Sequence, residues 1–166
     1  DKANIAVVNA KSMKVTAHYD VSSKGRGGSG LAFDVKNHML FAYYRQPSPT
    51  VVIVNAKNGN IITTLPTGMG VDTVAFNPAT MEAISAENGG SMTLIKENSP
   101  TSFAVEQTLQ TVAGAKTLAL DTKTNHVLTM TAEFGPPPAN APPGPAGRPA
   151  RGPMVPGSFS ILMVGK

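Results

Sequence analysis

The chain has 166 residues, of which 41% are hydrophobic and 14% charged, so it can bury a core and is too apolar to be disordered throughout. Its net charge of +4 comes from scattered Lys and Arg rather than from a basic run, so no nucleic-acid partner is expected. Cysteine is absent, which excludes disulfides and cysteine-based metal sites, and no apolar run reaches the roughly 18 residues that a membrane span requires.

Short runs rich in β-branched residues follow one another along the chain and predict an all-β protein. The chain opens at Asp1 without a leader-like segment, as expected of a mature or cut chain. The first two runs, 4–10 and 14–21, are separated by a hairpin-length connection. Residues 51–57 repeat the Val-Asn-Ala-Lys of the first run, and the following Asn58-Gly59 pair is suited to a type I′ turn.

Three apolar segments repeat with nearly constant spacing. They centre on Ala32, Ala75 and Ala119, which lie 43 and 44 residues apart, and each is followed two residues later by Asp or Asn. Such a period is typical of a β-propeller, whose blades are four-stranded antiparallel sheets. The predicted strands are 30–34, 39–45, 50–56 and 61–66 in one blade, 72–77, 82–87, 91–97 and 103–110 in the next, and 116–121, 126–133 and 158–164 in the last.

The turns between the first and second strands of these blades share one feature. Each opens with an Asp or Asn, namely Asp34, Asn77 and Asp121, whose side chain can accept a hydrogen bond from its own backbone two residues on. A segment rich in Pro, Gly and Ala, 135–157, interrupts the last blade and predicts an extended, polyproline-rich loop insertion.

These elements predict a single partial propeller of about three blades. Its blade pieces are expected at 1–24, 25–68, 69–112 and 113–166. Because a closed ring takes about four to eight blades, the chain needs partners: either the remaining blades of a longer parent chain, or further copies of itself. In the second case the opening pair of strands would complete a neighbour's last blade.

Six polar residues are expected around the mouth of the central channel, where loops between blades and loops after second strands open on the same face. They are Ser29, Asp72 and Lys116 before the innermost strands, and Arg45, Glu87 and Glu133 at the ends of the second strands. A polar mouth over a channel predicts a ligand-binding site. The alternative is that these are solvated loop ends and that Arg45 forms surface ion pairs with Glu side chains across blades.

The proline-rich loop leaves from Glu133-Phe134 and should hang over the same mouth, as a lid, a partner-binding segment or a tolerated surface insertion. His18, His38 and His126 are too far apart in the repeat to form a zinc site, and no cofactor is predicted.

The glycine-rich segment 25–30 lacks the Lys-Ser/Thr ending and the following helix of a phosphate-binding loop, so it is interpreted as a loop between blades. Asp72, Glu87 and Glu133 could supply oxygen ligands to a calcium ion, but no calcium-binding loop is recognisable.

The segments 31–34 and 51–61 resemble the strand and hairpin repeats of the YVTN-type, YncE-like seven-bladed propellers of bacterial surfaces and periplasm, with Asn55 where that family usually has Asp. The Tyr-Val-Thr-Asn tetrapeptide itself is absent. The resemblance implies a non-catalytic binding or scaffold propeller of the bacterial cell envelope or exterior, periplasmic or secreted, with an unknown small-molecule or protein ligand. The alternative is a propeller enzyme, lactonase-like or quinoprotein-like, with acidic candidates Asp72, Glu87 and Glu133 at the mouth.

Overall fold

The computed structural model describes residues 3–142 and 150–165, and every regular element within these ranges is a β-strand. The strands are β1 Asn4–Asn9, β2 Lys14–Asp20, β3 Arg26–Asp34, β4 Met39–Gln46, β5 Thr50–Asn55, β6 Ile61–Pro66, β7 Val71–Asn77, β8 Glu82–Glu87, β9 Ser91–Ser99, β10 Ser102–Gln110, β11 Lys116–Asp121, β12 His126–Thr131 and β13 Ser160–Val164. Over the described part of the chain, no helix is long and apolar enough to cross a membrane.

The strands form four antiparallel sheets in which each strand pairs with its neighbour in sequence. The pair β1-β2 comes first, followed by two four-stranded sheets, β3-β4-β5-β6 and β7-β8-β9-β10, and a three-stranded sheet, β11-β12-β13. Short connections make such sequential pairing easy. The prediction of four-stranded antiparallel blades in an open, partial propeller is confirmed, and β13 takes the predicted third place in the last sheet.

The turns that join first to second strands form as predicted. The side-chain Oδ1 atoms of Asp34, Asn77 and Asp121 accept hydrogen bonds of 2.9, 3.0 and 2.9 Å from backbone N–H groups two residues on. Each turn closes on a non-glycine residue at positive φ, which lets the second strand begin next to the first. These residues are His38 (57°), Met81 (55°) and Asn125 (61°).

The predicted type I′ turn at Asn58-Gly59 is wrong. A type I′ turn needs positive φ at both central residues, and in this hairpin only Gly59 has it, at 77°. The Asn55 side chain accepts a 2.9 Å hydrogen bond from the N–H of Lys57, and the Asn55 carbonyl accepts one of 2.8 Å from Gly59. The turn therefore starts at Asn55, and the hairpin has a longer loop than two residues.

The sheets stack face to face, so a central strand is buried on both sides. On β4, Leu40, Ala42 and Tyr44 pack against the β1-β2 pair, whereas Phe41 and Tyr43 pack against the β7-β10 sheet. This explains why the middle strands β4 and β5 are apolar on both faces rather than alternating between apolar and polar residues. Four consecutive residues of β5 are fully buried: Val51, Val52, Ile53 and Val54.

Two apolar faces remain open at the ends of the stack. The β1-β2 pair covers β4, β5 and β6 but leaves Leu31 and Phe33 of β3 exposed, at 51% and 42%. At the other end, Ile161 and Met163 of β13 are 65% and 67% exposed. The residues equivalent to Leu31 and Phe33 in the next sheet, Val74 and Phe76, pack against the core between the sheets.

Candidate functional site

One edge of the stack carries most of the residues predicted to surround the mouth. There β3, β7 and β11 begin and β4, β8 and β12 end, because each pair is antiparallel. We call it the mouth edge. The opposite edge carries the Asp and Asn turns described above.

The first strand of each blade, β3, β7 or β11, has a β-bulge at the mouth edge, which turns one extra side chain away from the ladder. The extra residue is Ser29 in β3 and Asp72 in β7, as their predicted equivalence requires. In β11 it is Thr117, with φ of 61°, and not Lys116, which pairs with Met130. The predicted equivalence of Lys116 with Ser29 and Asp72 is therefore wrong by one residue, because the bulge in β11 is displaced along the strand.

Asp72 joins the second full sheet to the last one. Its Oδ1 lies 3.9 Å from Lys116 Nζ, and its Oδ2 accepts a 3.0 Å hydrogen bond from Thr117 Oγ1 and one of 3.4 Å from Thr73 Oγ1. The side chains of Asp72 and Lys116 are 30% and 39% exposed, so water screens the ion pair and it adds little to stability. Both groups remain accessible to a ligand.

Arg45 reaches across the neighbouring boundary between sheets. Its Nε and Nη2 both donate to the carbonyl oxygen of Val71, at 3.2 and 2.6 Å. The alternative in which Arg45 pairs with Glu side chains across blades is not realised. Among the described residues the ion pair within 4.0 Å is Lys116–Asp72.

Glu87 lies below the mouth edge and not on it. Its side chain is fully buried, and Ser85 Oγ donates to Oε1 at 2.8 Å while Ser91 Oγ donates to Oε2. It pairs with Val71 just before the bulge, where the preceding sheet has Tyr44 paired with Gly28, so its structural counterpart is Tyr44 rather than Arg45. One of the three acidic candidates for an enzyme site is thus closed off from solvent.

The fully buried Tyr43 lies beside this carboxyl. Burial, and then the nearby Glu87 carboxylate, raise the pKa of the Tyr43 phenol above its usual range. The phenol therefore stays protonated at physiological pH. The buried Glu87 and Ser85 and the half-buried Ser91 form a hydrogen-bonded polar group beneath the exposed residues of the mouth edge.

The two remaining predicted residues lie apart from this group. Ser29 Oγ donates a 3.4 Å hydrogen bond to the carbonyl of Tyr43 in its own sheet. Glu133 is exposed beyond the end of β12, where its N–H donates to Ser158 Oγ at 3.0 Å. No hydrogen bond or ion pair found in the described residues connects Glu133 to Asp72 or Lys116.

The base of the proline-rich loop is closed by a short ladder at the mouth edge. The N–H of Gly135 donates to Pro153 O, and that of Val155 donates to Glu133 O, both at 2.9 Å. The Arg151 guanidinium lies 3.3 Å from the centroid of the Phe134 ring, a cation–π contact. The part of the predicted lid or partner-binding segment at 143–149 lies outside the described residues.

A buried carboxyl pair at the opposite edge was not anticipated from the sequence. Glu97 is 3% exposed, and its Oε1 accepts a 2.7 Å hydrogen bond from Asn37 Nδ2. Burial and the neighbouring Asp34 carboxylate raise the pKa of Glu97. The described residues contain no group of three or more His, Cys, Asp or Glu side chains placed to hold a metal ion.

A second feature missed by sequence reasoning is a pocket of about 510 Å³ at the mouth edge, where β3 begins. Its lining comprises Arg26, Gly27, Gly28, Arg45 and Gln46. The sequence signal was the glycine-rich segment around Arg26. The second arginine comes from β4, about twenty residues further on, so only strand pairing brings the two together.

Solved structures of other proteins share this fold. A similar chain occurs in hydrazine synthase of Kuenenia stuttgartiensis, with a TM-score of 0.67 and 14% identity over 81% of this chain and 38% of that one. Another occurs in the mitotic checkpoint complex, with a TM-score of 0.64 and 13% identity over 76% of this chain and 39% of that one. The Pan2 WD40 domain of Neurospora crassa is similar over 98% of this chain and 44% of its own, with a TM-score of 0.63 and 12% identity.

WD40 repeats build β-propellers, so these likenesses establish the propeller fold and, at such identities, the fold alone. The chain spans less than half the length of each of these structures. No protein-family model matches the chain. No curated protein matches it either.

Proposed function

We propose that the chain belongs to a non-catalytic binding or scaffold β-propeller that holds a small-molecule or protein ligand at the mouth edge. The observation that carries the proposal is the cluster at Asp72, where Lys116 and Thr117 reach across a boundary between sheets. Arg45 spans the preceding boundary in the same way. Polar groups from three sheets thus stand on one accessible surface, above apolar interfaces between sheets.

We also propose which group of β-propeller proteins the chain belongs to. The repeat residues at 31–34 and 51–61 support a YVTN-type, YncE-like protein of the bacterial cell envelope or exterior, periplasmic or secreted. The propeller fold is compatible with that assignment but is shared with many other proteins.

The function is tested by mapping where small molecules bind. Amide NMR spectra of the 166-residue chain are recorded with a library of small organic fragments. Perturbations are expected to concentrate around Asp72, Lys116 and Thr117. Replacing Asp72 with Asn, or Lys116 with Gln, should weaken the strongest fragments about tenfold, since each removes a charged hydrogen-bonding group. Lys123→Gln, at the opposite edge, is the charge-matched control and should leave them unchanged. Perturbations concentrated at the opposite edge would refute the proposal.

We also propose that further blades of a longer parent chain cover the two open apolar faces. Three facts support this occupant. Every interface between consecutive sheets buries the same kind of apolar side chain. Leu31, Phe33, Ile161 and Met163 stand exposed at the equivalent places. The matched part of this chain covers only 38–44% of the similar solved chains. Contiguous exposed apolar side chains of this kind mark surfaces that contact another part of a protein or a partner.

Mass measurements on the protein isolated from its source test this arrangement. The expected denatured mass is well above the 17.2 kDa of this chain, with the same mass under native conditions. A denatured mass of 17.2 kDa with a native multiple of it would show instead that copies of the chain cover the faces. In that case the mouth residues would recur by symmetry.

A further inference from the structure

The pocket at the start of β3 is lined by two arginines from paired strands. Arg26 stands in β3 and Arg45 in β4, and both line the cavity of about 510 Å³. Gly27 and Gly28, which follow Arg26, add glycine backbone to the lining, and Gln46 completes it. A planar guanidinium presents N–H donors in a fork that matches the oxygens of a carboxylate or phosphate.

The positive charge of this pocket is not neutralised within the described structure. Between Asp20 and Asp72 in the sequence, the only acidic residue is Asp34. Asp34 is buried at the opposite edge, where its two oxygens accept hydrogen bonds of 2.9 and 3.1 Å from turn N–H groups. Among the described residues, neither arginine has a carboxylate within 4.0 Å. The cavity therefore has a positive potential that favours an external anion.

Arg45 is held in place before any ligand arrives. Nε and Nη2 both donate to the Val71 carbonyl, which leaves the remaining guanidinium N–H groups available. A side chain already fixed in this way loses less conformational freedom when a ligand binds. Gly27 has φ of 64°, a conformation that glycine adopts without strain, and it places bare backbone beside Arg45.

We propose that this pocket binds an oxyanion group, phosphate or carboxylate, carried by the ligand of the mouth edge. The inference rests on the proposed binding function and gives the chemical class of the ligand. Arg45 supplies the preoriented donors. Arg26, from the paired strand, supplies the second positive charge. Asp72 directly follows Val71, the residue that anchors Arg45, so the arginine pocket and the Asp72 cluster adjoin at the start of β7.

The test is a calorimetric titration of the protein at low ionic strength, in separate arms, with inorganic phosphate and with acetate. Arg26→Gln and Arg45→Gln should each weaken the better-bound anion about tenfold, because each removes charge-assisted hydrogen bonds. Arg45→Lys keeps the charge but loses the fork, and its affinity should fall between those of the wild type and Arg45→Gln. Lys57→Gln, an exposed charge in the β5–β6 turn, is the matched control and should change the affinity less than twofold.

Amide NMR of the same samples provides a second readout, with the largest shifts expected at Gly27 and Gly28. Tighter phosphate binding would indicate a phosphorylated ligand, and tighter acetate binding a carboxylate. Absence of saturable binding to either anion would overturn the inference, and so would equal losses in the arginine variants and in Lys57→Gln. If no fragment perturbs the amides around Asp72 but an anion still binds at the arginines, the proposed function is rejected and the anion-binding pocket is retained.

Discussion

Replacing Phe41 with alanine is expected to lower the free energy of unfolding by about 3–5 kcal/mol. The ring is fully buried between the two four-stranded sheets. It stacks on Phe76 with a centroid distance of 5.4 Å and meets Phe103 edge-on at 5.8 Å. Its removal would leave a cavity that rigid strands on both sides cannot close, and it would remove both aromatic contacts.

Urea unfolding of the 166-residue chain, followed by far-ultraviolet circular dichroism, measures this loss. The matched control is Phe33→Ala, an aromatic residue of the same sheet that is 42% exposed. Its cost should be at least about 1 kcal/mol smaller than that of Phe41→Ala, because 42% of the residue stays exposed to water in the folded state. Equal costs for the two variants would contradict the face-to-face packing of the sheets.

Replacing Gly68 with alanine is expected to destabilise the protein by about 1–3 kcal/mol. A Cβ atom at Gly68 would overlap the carboxylate of Glu87 and the hydroxyl of Ser91. Glu87 cannot move aside easily, because it is fully buried and held by the hydroxyls of Ser85 and Ser91. The steric conflict is therefore specific to the buried carboxyl beneath the mouth edge.

A double-mutant cycle separates this conflict from a general effect of alanine. Glu87→Ala removes the carboxylate that the new Cβ would meet and leaves only the Ser91 hydroxyl, so the cost of Gly68→Ala should shrink by about 0.5–3 kcal/mol in that background. Gly135→Ala is the control, since its Cβ would lie 3.7 Å from the nearest atom, at ordinary contact distance. Additive costs for Gly68→Ala and Glu87→Ala would show that the two residues do not interact.

The strand positions and the turns between first and second strands could be predicted because local interactions determine them. Asp34 and its counterparts bond backbone groups two residues away, and that contact exists whatever the rest of the chain does. The spacing of Ala32, Ala75 and Ala119 likewise shows the repeat directly. The hairpin after β5 was predicted wrongly, because both Asn55 and Asn58 are residues that can begin a turn. In the structure the turn begins at Asn55 and not at Asn58.

The site residues were harder to place because strand register decides which way a side chain points. A bulge displaced by one residue in β11 puts Thr117 rather than Lys116 in the position equivalent to Asp72. Glu87 was predicted at the mouth because alignment of the repeats places it at the end of a second strand. Its burial depends on Gly68 and Ser91, which no local pattern connects to it.

The sequence by itself determined the all-β class and the four-stranded repeat, since periodicity and turn residues act over a few positions. Only the tertiary structure decided which polar groups meet. It joined Asp72 to Lys116 and Thr117, held Arg45 on the Val71 carbonyl, and brought Arg26 into the same pocket. The physical reason is that these contacts cross strand and sheet boundaries, where bulges and packing set the geometry.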